Sequence, residues 1–208
     1  MRIRITFSKQ GALKYTGHLD LHRLWERAAR RADLPLAYSK GFHPQPKLCL
    51  AAALPLGFSS RAELIDLRLN QDVPLDEVTL RLSDTLPAGI QVLKVESVDE
   101  SAPALQAQVR SAIYEVQLLA KVDVSELRRR VEQSLNSHSL PRERRGKSYD
   151  LRPLIESLSV VTESGERPRL RMRLSAREGA TGRPEEVLDV LDIASENAQV
   201  ERTDLVFD

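Results

Sequence analysis

Cysteine is nearly missing from this chain, with Cys49 the only one among 208 residues. One thiol cannot close an internal disulfide, and it cannot alone build a cysteine-ligated zinc finger or an iron–sulfur cluster. A reducing compartment, the cytoplasm, is the natural expectation. Long apolar runs are missing too. The longest uncharged one, from Leu48 to Phe58, is too short to span a bilayer, and no N-terminal stretch resembles a signal peptide. No membrane association is expected. The motif vocabulary of several enzyme classes is also absent: there is no P-loop or dinucleotide glycine pattern, no serine in a nucleophile-elbow context, no HExxH and no CxxC. No resident cofactor and no metal are expected.

Net charge is close to zero, at +1, but that figure hides a segregation. Residues 1–47 hold ten Lys or Arg against three Asp or Glu, whereas residues 178–208 hold two against nine. A hydrophobic content of 41% is enough for one large domain or two small ones.

Periodicity places the elements. The first strand alternates, with Ile3, Ile5 and Phe7 on one face and Arg2, Arg4 and Thr6 on the other. A helix over 18–33 puts Leu21, Leu24, Trp25, Ala28 and Ala32 at helical spacing and leaves Arg23, Arg27 and Arg30 outside. Strands over 48–56 and 62–69, a helix over 75–86 and a strand over 90–98 complete a β-α-β-β-α-β unit. The order repeats as a strand over 112–119, a helix over 124–136, strands over 154–161 and 169–176, a helix over 184–193 and a strand over 199–207. The expected fold class is therefore α+β, with tandem ferredoxin-like domains over 1–100 and 110–208 joined by a linker over 101–109.

In both halves the connection from first helix to second strand is long and basic. The first, from Leu34 to Lys47, includes YSKGFHPQPK, whose two X-Pro steps favour extended backbone at His43 and Gln45. Cations and aromatics projecting from one loop suit a polyanion with stackable bases. The second, HSLPRERRGKSYDLR, supplies Arg142, Arg144, Arg145, Lys147 and Arg152, with Gly146 giving flexibility and Tyr149 an aromatic plane. Glu143 and Asp150 neutralise part of that charge, so a solvated surface loop is the competing reading. Phe42 either stacks a base or tucks under its loop as an anchor, and the anchor is preferred. Trp25 and Cys49 read as core residues. Arg169, Arg171 and Arg173 alternate along a strand and are expected to pair with acids across the sheet, as Arg4 would with Asp66.

His18 and His22 are four apart on a helix, a spacing that can chelate, but without a carboxylate pair at ligand spacing His18 reads as capping the helix start. His18 or His43 could also serve as a general acid or base in RNA cleavage by the RNA's own 2′-hydroxyl, which needs only positioned proton-transfer groups and phosphate clamps.

Two segments, KYTGHLDLHRLWERAARRADLPLAYSKGFHPQPKLCLAAALPLGFSSRAELIDL and GKSYDLRPLIESL, resemble a bacterial family of radical-SAM-linked proteins, over essentially the whole chain. The resemblance implies a partner that is a radical S-adenosylmethionine protein. This sequence lacks the CxxxCxxC that would hold such a cluster, so it looks like the partner half. The tandem fold also resembles the RNA-processing endoribonucleases of CRISPR systems, by fold-level analogy only.

The combined expectation is a non-catalytic RNA-binding accessory module acting with a separate radical-SAM enzyme in tRNA or rRNA modification. Lys14, Arg23, Arg27, Lys40 and Lys47 would set register from the first half. Arg142, Arg144, Arg145, Lys147 and Arg152 would close from the second. Tyr38, Phe42 and His43 would face the bases. The alternatives are a protein-interaction scaffold for that enzyme and a metal-independent endoribonuclease.

Overall fold

The computed structural model describes residues 1–144, 146–162 and 167–207, a mixture of α and β. The chain divides into two compact units, Met1–Val109 and Arg110–Asp208.

In the first unit, β1 (Arg2–Lys9) is followed by a 3-10 turn (Gly11–Tyr15), α1 (His18–Arg31), β2 (Leu48–Leu50), β3 (Ser59–Arg68), α2 (Leu75–Ser83), β4 (Ile90–Val98) and α3 (Leu105–Gln108). The strand order is β2-β3-β1-β4, with antiparallel neighbours throughout. The alternation of β1 sends Ile3, Ile5 and Phe7 into the core beside Leu21, Trp25 and Ala29 of α1 and Val78 and Leu82 of α2. Trp25 meets Phe7 edge-on at 4.7 Å between ring centres. Truncating this fully buried indole would cost about 3–5 kcal/mol. On the other face of β1, Arg2 and Arg4 converge on the buried Asp66 of β3, at 2.7 and 2.8 Å.

Residues 101–109, read from sequence as a linker, are not a free tether. Arg2 donates to the carbonyls of Ala102 (2.6 Å) and Pro103 (2.8 Å), and Leu105 of α3 is fully buried. Strand β2 is shorter than expected because the chain leaves the sheet after Leu50 toward Pro55 and Gly57, the latter at φ +86°. Helix α1 ends two residues early in a paired closure: Leu34 N–H donates to Ala29 O and Asp33 N–H to Arg30 O, with Asp33 left-handed at φ +50°. That closure fixes the direction in which the basic loop departs.

In the second unit, β5 (Val109–Leu118) leads to α4 (Val124–Asn136), β6 (Pro141–Arg144), β7 (Lys147–Asp150), a 3-10 turn (Arg152–Leu154), β8 (Ile155–Val161), β9 (Arg169–Arg177), β10 (Ala180–Thr181), α5 (Pro184–Val190) and β11 (Ala198–Phe207). Asp123 caps α4, its carboxylate accepting from Ser125 N–H and Glu126 N–H. The sheet runs β8-β9-β5-β11, with β10 also on β9, so each unit orders its four main strands second, third, first, fourth. The cross-sheet reading is met at one β9 arginine, where Arg173 pairs with Glu156 at 2.7 Å, while Arg171 lies in register opposite Glu115 and Arg169 opposite Gln117.

The second basic loop is regular, which its sequence did not suggest. It is a two-stranded hairpin, with Arg142 opposite Tyr149 and Arg144 opposite Lys147.

Candidate nucleic-acid interface

The apolar stripe of α1 is turned into the core, so its polar face is outside by necessity. Arg23, Arg27 and Arg31 are exposed there at four-residue intervals, a rise of about 6 Å from one to the next. They border a depression of about 470 Å³ that Thr16, Asp20, Leu24, Ala28, Thr85 and Pro87 complete. Asp20 pairs with Arg23 at 3.4 Å, an exposed contact of little strength. Arg27 and Arg31 have no ion pair or hydrogen bond from their side chains among the described residues. Arg30 is used differently: it pairs with Glu26 at 2.8 Å and lies 5.8 Å from the Tyr38 ring centre.

Residues 34–47 form a finger on a hydrogen-bonded stem. Ser39 N–H donates to Gln45 O (2.8 Å), Lys47 N–H to Ala37 O (2.8 Å), and Gln45 N–H to the Ser39 hydroxyl (2.9 Å). Both arms are fastened to β3, since Ala37 N–H donates to Arg68 O and Arg68 N–H to Lys47 O. Leu34, Leu36 and Pro46 are buried at the base. Lys40, Phe42 and His43 are exposed at the tip, and Gly41 turns there at φ +137°, where a side chain would be strained. Phe42 is 101% exposed, so it does not anchor the loop as expected; the arms are held by hydrogen bonds to each other instead. Lys47 is exposed beside the base, and Lys14 lies at 5.1 Å from the Tyr15 ring centre.

In the second unit the predicted cations are placed differently. Arg144 donates to both carboxylate oxygens of Glu186 (2.6 and 2.7 Å) and to Thr181 O, and it stacks on Tyr149 at 4.8 Å. Burial works against its charge, but the bonds and attraction of Glu186 prevail and raise its pKa above the ordinary arginine value. Burial and then Glu186 push the Tyr149 phenol up as well, against the pull of Arg144. Arg152 donates to Leu135 O (2.9 Å) and Ile155 O (3.1 Å), tying the end of α4 to the start of β8. Among the described residues the Arg142 side chain reaches only its neighbour's carbonyl, Pro141 O, and Lys147 is exposed. Arg145 lies outside the described residues.

Two readings of single residues change. Gly17, not His18, stands at the N-cap of α1, and His18 is the first helical residue. Cys49 is only partly buried; that burial still pushes its thiol up, the backbone N–H of Gln106 pulls the other way, and the Asp66 charge adds to the rise. Among the described residues no group of three or more His, Cys, Asp and Glu side chains could hold a metal ion, and no helix is long and apolar enough to cross a membrane.

The family described as "Uncharacterized protein conserved in bacteria (DUF2344)" matches residues 2–184. The chain belongs to DUF2344. No curated protein matches it. Among solved structures, the DUF2344 chain is similar to one chain of a crystal structure of a Cbf5-Nop10-Gar1 complex, with a TM-score of 0.53 and 10% identity. The match covers 98% of the DUF2344 chain and 48% of the other, so this chain spans about half that chain's length and the likeness is one of fold. The residue that sequence reasoning missed in DUF2344 is Arg31. Its four-residue spacing from Arg23 and Arg27 was the available signal; the sequence reading placed Arg30 in that row instead, whereas Arg30 pairs with Glu26.

Proposed function

We propose that this DUF2344 protein is a non-catalytic RNA-binding accessory module that acts with a separate radical-SAM enzyme in tRNA or rRNA modification, built from two tandem ferredoxin-like units. One observation carries the reading: in the first unit Arg27, Arg31, Lys40 and Lys47 are exposed on a helix face and a stemmed finger, and among the described residues their side chains have no ion-pair or hydrogen-bond partner, which is the state a phosphate-binding cation should be in. The strand order second-third-first-fourth in each unit supports the fold assignment. The family resemblance of the two long segments supports the partner. With one cysteine in these 208 residues, the cluster chemistry belongs to that partner.

Anisotropy of labelled tRNA and rRNA fragments across a salt series tests the proposal. The logarithm of affinity should fall linearly with the logarithm of salt concentration, as counterions are released. Failure to bind at low salt, or a flat salt response, removes it. A scaffold for the same enzyme is the second reading, favoured by Tyr15 and Leu56, exposed apolar side chains on segments joined by the Gly57 N–H bond to Lys14 O.

A further inference from the structure

Resting on that reading, we infer that the finger recognises an unpaired nucleobase within a structured RNA, with Phe42 as the stacking plane. Phe42 is fully exposed, while Phe7 is fully buried and Phe58 and Phe207 are half-buried. A bare aromatic on a mobile loop would mean little. Here the loop is a stem: its arms bond to each other through Ser39, Gln45, Ala37 and Lys47, and both are fastened to the Arg68 backbone of β3. The stem therefore carries the tip outward before any ligand arrives, which lowers the ordering cost to be met on contact.

The surroundings select the ligand. Residues 34–47 contain no Asp or Glu, and at the exposed tip Lys40 and His43 stand before and after Phe42 in the chain. An aromatic plane carried beside a lysine and an imidazole, with no acid nearby in the chain, matches a base next to its own phosphate. A base inside a duplex shows only its edges, because its faces are covered by neighbours, whereas a bulged or loop nucleotide offers a face. A single ring on a narrow tip has room for one such base. This fits a module that serves a base-modifying reaction, since chemistry on a base begins with taking it out of the stack. The arginine row of α1 supplies phosphate contacts without regard to pairing, so the two parts divide the work: Arg27 and Arg31 hold backbone, and Phe42 senses the unpaired base.

The test uses two RNA hairpins with the same stem, one fully paired and one carrying a single bulged 2-aminopurine, with the full-length protein and its Phe42→Ala and Phe42→Trp variants. The unsubstituted protein should bind the bulged hairpin about tenfold more tightly than the paired one and quench the 2-aminopurine emission. Phe42→Ala should lose that preference and the quenching, yet bind the paired hairpin as before; Phe42→Trp should keep both. Equal affinity of the unsubstituted protein for the two hairpins overturns the inference, as does a Phe42→Ala loss that is the same for both. In either case salt-sensitive binding would leave the RNA reading standing. Absence of binding to both at low salt would remove the RNA reading and this inference together.

Discussion

In the first unit, the connection from α1 to β2 is held mainly by backbone bonds, Ser39 to Gln45 and Ala37 to Lys47, with the neutral Ser39 hydroxyl as the one side chain joining the stem's arms, and leaves Lys40, His43 and Lys47 outside. In the second, the connection from α4 to β8 uses its side chains: Arg144 is clasped by Glu186, Arg152 by two carbonyls, and Tyr149 lies under Arg144. The two segments look alike in charge and differ in availability. What separates them is an acid far away in sequence. Glu186 sits 42 residues beyond Arg144, so counting the local acids Glu143 and Asp150 could not reveal it. A basic loop keeps its cations available to a polyanion where the fold brings no carboxylate to them.

The sharpest way to break this comparison is Arg144→Ala. The Arg144 side chain is 26% exposed and that of Glu186 13%, so removing the guanidinium strands a largely buried carboxylate. The expected loss is about 2 kcal/mol, below the cost of breaking a fully buried pair because both groups keep some solvent. It should appear as a lower urea midpoint with RNA affinity nearly unchanged. Adding Glu186→Ala should recover part of the loss, since the orphaned charge goes too. A drop in RNA affinity with normal stability would instead make Arg144 a binding residue and erase the contrast.

The reciprocal change is Arg27→Ala with Arg31→Ala. Neither side chain has a partner among the described residues, so stability should stay within about 0.5 kcal/mol. RNA affinity should fall by about tenfold, and the salt slope should shrink by roughly one per arginine. A stability loss without a binding loss would invert the comparison. Gly41→Ala has a smaller reach. At φ +137° any side chain is strained, though nothing lies within 4 Å, so the cost is about 1 kcal/mol, confined to the tip. Urea melts should shift little, and any preference for an unpaired base should weaken more than binding to a paired stem.

These contrasts show what was legible in sequence. The alternation of β1, the start of α1, the burial of Trp25 and the pairing of Arg4 with Asp66 all follow from periods of two and 3.6 and from strand adjacency. The end of α1 was not legible, because its left-handed closing residue is Asp33 where glycine is the usual signal. The β6–β7 hairpin was hidden because PRER and KSYD are polar on both faces and carry no alternation. Phe42 departs from the expectation for a reason of context: burial of an aromatic is the sound default, whereas here the loop is fastened by backbone bonds of its own arms and the ring stays exposed.

Acid should separate the two loops by the least but most specific effect. Asp150 accepts from Leu140 N–H (2.7 Å) and Arg152 N–H (2.9 Å), and these backbone bonds hold its pKa below the usual carboxylate value. A carboxyl group whose folded pKa is depressed stabilises the fold at pH above its unfolded value, and that contribution disappears as pH falls through the folded one. The Leu140 and Arg152 amide resonances should therefore move only in acid below the ordinary aspartate range, and Asp150→Asn should abolish the movement. The finger has no Asp or Glu between residues 34 and 47, and its Gln45 amide is bonded to the neutral Ser39 hydroxyl. That amide should stay still through the same titration. If it moved in step with Leu140, the stem of the finger would depend on a carboxylate after all, and the distinction between a loop held by backbone and a loop held by charge would not stand.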